Sequence, residues 1–378
     1  MTNIEKFTAE HIGEFEDLLE ILAKIPSPSH HEEKRVEFVK NFLEGIGAKG
    51  VYVDDAKNVI YPINCEGRDD IVVFMAHTDV VFPDTEELPF RKDEKYFYAP
   101  GVGDDTTCLA SLLMATKYII ENKAETNRGI LIVANSAEEG LGNLKGSKEI
   151  MKSFEGRIKE FYTFDGKYPG IVDRCVGSHR YEVICETEGG HSYGAFGKPN
   201  AIAELSKLIT KLFEVEVPRK EGTKTTYNVG TIEGGTSVNT IAQKAKMLYE
   251  YRSDDAECVE IMKNTFEKIV AEANAEGKAK FTVNVVGIRP CSKDYDVALH
   301  EKMLESAMKI QEKYSGVPCI RHSGSTDCNT PMSMGVPAVC VGTYRGFGTH
   351  TREEYVERAS FPISMKITID VMLQYFNK

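Results

Sequence analysis

The 378-residue sequence predicts an α/β protein: a large α/β domain on a mainly parallel sheet, interrupted by a smaller α+β domain. Three features of the chain carry that expectation. Apolar runs that read as buried strands, "IVVFMAH" (71–77), "GILIVANSAEE" (129–139) and "EFYTFDG" (160–166), alternate with stretches of helical periodicity. From about residue 180 the order changes to β-α-β-β-α-β, a self-contained unit. Beyond residue 290 a helix and a strand resume the first pattern. Residues 1–179 and 291–378 therefore form the large domain, and 180–290 the inserted one.

Taken in order, Phe15, Leu18, Leu19 and Leu22 fall at helical spacing in "EFEDLLEILAK". Ser29 and Glu32 have the spacing of a capping box ahead of a second helix lined by Val36, Val39, Phe42 and Leu43. "TTCLASLLMATKYIIEN" (106–122) reads as the helix between the first two strands. In the insert, "RYEVICETEG", "TTYNVGTIEGG", "KAKMLYEYRSD" and "KFTVNVVG" are strands, and "NAIAELSKLITKLFEV" and "CVEIMKNTFEKIVAEANAEG" are helices. "LHEKMLESAMKIQEKYSG" and "PAVCVGT" are the returning helix and strand.

Charge and composition narrow the function. A formal net charge of −12 argues against nucleic acid as a partner, because phosphate binding needs a basic face, whereas a cation site would draw on that charge. No apolar run reaches the length of a membrane span, and the first residues lack the apolar core of a signal peptide. Nine cysteines without a C-x-x-C pair suggest neither a zinc ribbon nor a disulfide scaffold, and reduced thiols fit a cytoplasmic home.

Histidines and carboxylates gather where strands end. His77 and Asp79 close the first strand, Glu138 and Glu139 the second, and Asp165 the third. Carboxyl ends of parallel strands are where ligands bind in such folds. Each group has a plainer reading: a turn at H-x-D or D-G, a solvated pair at E-E, a helix cap at Asp104 and Asp105 in "GVGDDTTC". Four such groups in one α/β domain, three of them at strand ends, point instead to one site. Two residues apart on an extended tail, Asp79 can hold the free ring N–H of His77. Adjacent Glu138 and Glu139 point in different directions, so one can bind a cation while the other acts as a base.

The motifs "IPSPSHHEE", "HTDVV", "GVGDD", "SAEEG", "FDG", "GGHSYGAFG", "GGTSVNTIAQKA", "YEYRSDD", "GSTDCN" and "GFGTHTREEYV" resemble, in order and over nearly the whole chain, the M20 metallopeptidases. That family (M20/M25/M40) includes peptidase T, dipeptidases and the acetylornithine and succinyl-diaminopimelate deacylases. The resemblance implies two divalent ions, with His77 and Asp165 on the first, Glu139 and His350 on the second, and Asp104 bridging both. It implies a cis peptide after Asp104, with Asp105 as its other half and as a start for the helix. Asp79 would orient His77, and Glu138 would be the general base for a hydroxide shared by the ions. His191, Arg252 and Asn239 would contact substrate from an inserted lid and dimerisation domain, His191 reaching a partner's site in a homodimer.

Three carboxylates and two neutral imidazoles carry three negative charges, which two divalent ions and a shared hydroxide balance. Mixed nitrogen and oxygen donors favour zinc, with cobalt or manganese able to substitute. The implied reaction is amide hydrolysis on small peptides, as an aminopeptidase or a di- or tripeptidase. An N-acyl amino acid deacylase is the alternative, and a catalytically silent binding protein a further one. The chain departs from many relatives at Thr106 and Thr107, where lysine and glycine are usual, and at Cys328, where alanine is common. His11, His30, His31, His179, His300 and His322 match no ligand.

Overall fold

The three apolar runs form the strands Ile71–His77, Gly129–Asn135 and Ile158–Phe164, paired in parallel about Ile71–His77. Their side chains alternate between two cores. Val72, Phe74 and Ala76 pack with the helices Asn3–Lys24, Cys108–Glu121 and Phe361–Leu373, while Ile71, Val73 and Met75 pack with Ile150 and Met332 on the opposite face. Burial on both faces is why these strands read as unbroken apolar runs.

The computed structural model describes residues 2–377. Two compact units emerge, Met1–Cys175 with Lys293–Lys378, and Val176–Ser292. In the first, an eight-stranded sheet has the order Tyr52–Val53, Val59–Ile63, Gly129–Asn135, Ile71–His77, Ile158–Phe164, Ala338–Val341, Gly170–Cys175, Ile320–Gly324. The four central strands are mutually parallel. Val59–Ile63 and Gly170–Cys175 run antiparallel to their inner neighbours. A small antiparallel sheet joins Gly346–Phe347, Tyr355–Glu357, Tyr96–Tyr98 and Arg91–Lys92, and carries the loop that holds His350.

In the second unit an antiparallel sheet has the order Thr225–Gly234, Lys244–Ser253, Gly177–Glu186, Lys280–Arg289. Helices Ala201–Phe213 and Ala256–Ala275 cover it, burying Leu205, Leu208, Met262 and Phe266 with Val183 and Met247. Its first strand starts at Gly177, opposite Ser253, so the chain enters this unit four residues earlier than the sequence alone places it. Among the described residues no helix is long and apolar enough to cross a membrane.

One local expectation fails. The second helix, Glu33–Gly45, starts without a side-chain cap, and Ser29 and Glu32 do not form a capping box. The Ser29 hydroxyl instead donates to Asp79 Oδ2 at 2.6 Å, and the His30 N–H donates to Glu32 at 2.7 Å. A capping hydroxyl would accept from an N–H at the helix start, whereas Ser29 is turned away as a donor to a buried carboxylate, a charge-assisted bond.

A candidate metal centre at the ends of the parallel strands

His77 is the last residue of its strand, and its ring is 1% exposed. Nδ1 lies 3.0 Å from the main-chain oxygen of Asp79. A carbonyl can only accept, so Nδ1 carries a proton, and Nε2 faces Asp104 Oδ1, 3.2 Å away, donating to it while no cation lies between them. The Asp79 carboxylate is also near the ring, its Oδ1 3.4 Å from Nδ1, so carbonyl and carboxylate of the same residue both face the ring N–H.

The fully buried Asp79 carboxylate does something the sequence does not reveal. It accepts the main-chain N–H groups of Glu138 at 2.9 Å and Glu139 at 3.0 Å, as well as the Ser29 hydroxyl. It thereby fixes the turn on which the proposed base and ligand sit. That turn begins at Ala137, a non-glycine residue at φ 54°, and a Cβ on Gly142 would lie 2.6 Å from the Ala137 backbone. Asp79→Asn would aim an amide N–H₂ at these donors. We expect a loss of about 10- to 100-fold in metal affinity, read by competition with a chromogenic chelator. Unchanged affinity would remove Asp79 from this role.

Asp104 sits in the turn Val102–Thr107, and its peptide bond to Asp105 is cis. The turn is shaped from below by Glu354, 1% exposed, whose carboxylate accepts the N–H of Gly101 at 2.8 Å and of Asp104 at 3.1 Å. Gly101 is at φ 73°, and a Cβ on Gly103 would lie 2.6 Å from Glu354 Oε1 and 2.8 Å from the Tyr344 hydroxyl, so both positions require glycine. Thr106 and Thr107 turn their hydroxyls back onto the carbonyls of Gly101 and Val102. Asp105 does not cap the following helix. Its carboxylate accepts the His77 main-chain N–H at 3.1 Å, tying the turn to the strand end.

Asp104 presents a separate oxygen to each imidazole: Oδ1 to His77, and Oδ2 to His350 Nε2 at 3.0 Å. His350, held at φ 64°, also lies 3.1 Å from Glu139 Oε1. Ligand atoms of His77, Asp104 and Glu139 fall within 4.8 Å of one another, and so do those of His77, Asp105 and Asp165. Asp165 thus joins the group through His77, in company with Asp105. Glu138, 5% exposed, stands beside it: its charge acts on both Asp165 and Asp327.

The electrostatics are those of a cluster with too few positive charges. Burial, then the Asp104 charge, pushes Glu139 up to about 7, and the same two causes push Asp165 well above the usual carboxylate range. Burial also works against ionised Asp104, but bonds from His350 and His77 outweigh it and hold Asp104 low. Bonds to Asp104 and Glu139 raise His350 to about 10. Carboxylates this close repel unless cations lie among them, and the donor set of imidazole nitrogens and carboxylate oxygens suits zinc-type ions. The residues present fit a bound cation, with His77, Asp104 and Glu139 converging on one point and His350 adjoining the last two.

In the second unit His191 is exposed, its Nδ1 facing the N–H groups of Tyr193 and Gly194 at 3.3 and 3.4 Å. Asn239 is next to it, its main-chain oxygen accepting the Ser192 N–H at 2.9 Å. The Arg252 guanidinium makes two 2.9 Å bonds to Glu250.

Glu354, Arg35 and the Asn135–Asp327 pair are missing from the sequence reading. Arg35 is fully buried and donates to the carbonyls of Leu22, Ile25 and Thr78, splinting the first strand's exit. Its position on the apolar face of its helix, four residues before Val39, is the signal that could have found it. Asp327, 1% exposed, accepts the Asn135 amide at 2.6 Å, and burial followed by the Glu138 charge moves it up to about 7.

Residues 73–374 match the profile of Peptidase family M20/M25/M40. The chain is 25% identical to the Bacillus subtilis (strain 168) protein YqjE, itself uncharacterized, over 355 residues, which cover 86% of this chain and 88% of the other. Its fold is shared by aminopeptidase PepT from Bacillus cereus, at 22% identity and a TM-score of 0.72 over 95% of this chain and 97% of that one. A dinuclear metal-binding peptidase, YXEP of Bacillus subtilis, has a TM-score of 0.65 at 14% identity, covering 97% and 99%.

Proposed function

Because the chain belongs to peptidase family M20/M25/M40 and is thereby a metallopeptidase-type hydrolase, we propose that it cleaves an amide bond of small peptides using two divalent ions, zinc by preference. Asp104 carries this reading, because each of its two oxygens faces a different imidazole, as a shared ligand would need. When bound, the ions would polarise the amide carbonyl and acidify water.

The chain's own groups do the rest. Glu138, on a turn fixed by Asp79, takes a proton from the attacking water and delivers it to the leaving nitrogen. His77 is held in one tautomer by the Asp79 carbonyl, so its Nε2 remains a donor to a cation. In the role assigned to the Val176–Ser292 unit, as lid and dimerisation domain, His191 steadies the carbonyl oxygen, Asn239 contacts the substrate backbone and Arg252 receives a carboxylate in exchange for Glu250. All nine cysteines are free thiols, which supports a reducing cytoplasmic setting.

A panel of di- and tripeptides beside acetyl- and succinyl-amino acids tests the substrate class. Turnover of the peptides is expected. Hydrolysis of the acyl compounds alone would replace the peptidase reading with a deacylase.

A further inference from the structure

A cavity of about 370 Å³ opens beside the centre, within the first unit, and its walls include Asp104, Asp165, Lys167, His322, Tyr344 and Thr349. That volume lies in the range of small-ligand sites. Three donors in it lack an acceptor. The Tyr344 hydroxyl, on a residue 1% exposed, and the Thr349 hydroxyl are both buried with no hydrogen-bond partner among the described residues. The ammonium of the half-buried Lys167 has no ion-pair or hydrogen-bond partner among the described residues either. Glu354 is close enough for its carboxylate to feel the Lys167 charge, yet its two oxygens are taken by the N–H groups of Gly101 and Asp104.

A buried donor without an acceptor is costly, and a cavity lined by an ammonium and two residues with unfilled hydroxyls is a receptor for an anion. The ionised Asp104 carboxylate in its wall would repel that anion in a metal-free chain. Its charge is offset once cations are held, so the pocket accepts an anion in the loaded protein. Planar carboxylate oxygens suit the combination of one ammonium and two hydroxyls.

We propose that this cavity is a specificity pocket in which Lys167, with the Tyr344 and Thr349 hydroxyls, receives a carboxylate of the substrate beside the scissile amide. The inference rests on the hydrolase reading for what enters the pocket. It makes Lys167 a specificity-determining residue and gives the enzyme a preference for substrates with a free carboxylate near the scissile amide. The carboxylate belongs to an acidic side chain or to the peptide's C-terminus.

Calorimetric titration of the zinc-loaded protein with L-glutamate and L-glutamine tests the pocket without turnover. Glutamate is expected to bind about tenfold tighter or more, given the strength of hydrogen bonds to charged groups. Lys167→Met abolishes the difference and Lys167→Arg retains it. A glutamate preference that survives Lys167→Met, or affinities for both ligands that Lys167→Met leaves unchanged, overturns the proposal; equal affinities that both fall in Lys167→Met assign the α-carboxylate to the pocket. Turnover of Ala-Glu against Ala-Gln, and of Ala-Ala against its C-terminal amide, identifies the source. Discrimination in the first pair assigns the side chain, discrimination in the second assigns the terminus, and none in either overturns the proposal. If no amide is cleaved but the Lys167-dependent preference for glutamate persists, the hydrolase reading fails and the pocket stands.

Discussion

Replacing Glu138 by glutamine lowers kcat by about 10²–10⁴-fold, the range a positioned general base supplies, while both ions remain bound. Glutamine keeps the volume of the buried side chain and the main-chain N–H that Asp79 accepts, so the turn survives. What it loses is the ability to take and return a proton. Because Glu138 is not among the proposed ligands, metal content measured by atomic emission stays at the wild-type value and KM changes little. Near-normal kcat with intact metal would remove Glu138 from the base role. Loss of metal would instead make it a ligand.

Exhaustive chelation abolishes activity and lowers Tm, and the stabilisation regained on adding zinc grows between about pH 6 and about pH 8. Without metal, Glu139 is raised from 4.5 to about 7 and His350 from 6.5 to about 10. Both are pKa values above those of the unfolded chain. The Glu139 contribution is therefore complete below 4.5 and is lost as pH rises through about 7. That of His350 is complete below 6.5 and is lost as pH rises through about 10. The metal-free fold thus weakens with rising pH, as protons leave a cluster whose carboxylates repel. Cations take the protons' place and bind best once the protons are gone, so zinc restores more at the higher pH. At a concentration a hundredfold above Kd one bound ion contributes about 2.7 kcal/mol. A zinc-induced rise in Tm that is the same at both pH values, or falls, would contradict this cluster.

The strands that carry the centre were legible because burial on both faces leaves a continuous apolar run, and "IVVFMAH" and "GILIVAN" have no other use. His77, Glu138, Glu139 and Asp165 stand out for the same reason: each breaks such a run at its end. Gly170–Cys175 and Ile320–Gly324 are different. They lie toward one side of the sheet, and "GIVDRC" and "IRHSG" carry charges that mask the strand.

Partner choice was the harder part. Ser29 fits a capping box by spacing, but tertiary folding offers it the buried Asp79 carboxylate. Asp79 lies against the His77 ring as its spacing suggests, but it also serves the peptide N–H groups of a turn 59 residues away, which no spacing shows. Glu354 reads as one of two glutamates in "REEY", and only the chain crossing beneath Gly101 makes it the support of the aspartate turn. Residue types survive in the sequence, but which of several acceptors a donor meets is decided by chain crossings that no local pattern encodes.

A crystal structure of the protein grown with zinc, with anomalous data on both sides of the metal edge, tests the central claim most directly. Two anomalous peaks per chain are expected, with one Asp104 oxygen on each, His77 and Asp165 completing the first site, and Glu139 and His350 the second. A single peak, or two peaks that share no Asp104 ligand, would contradict it.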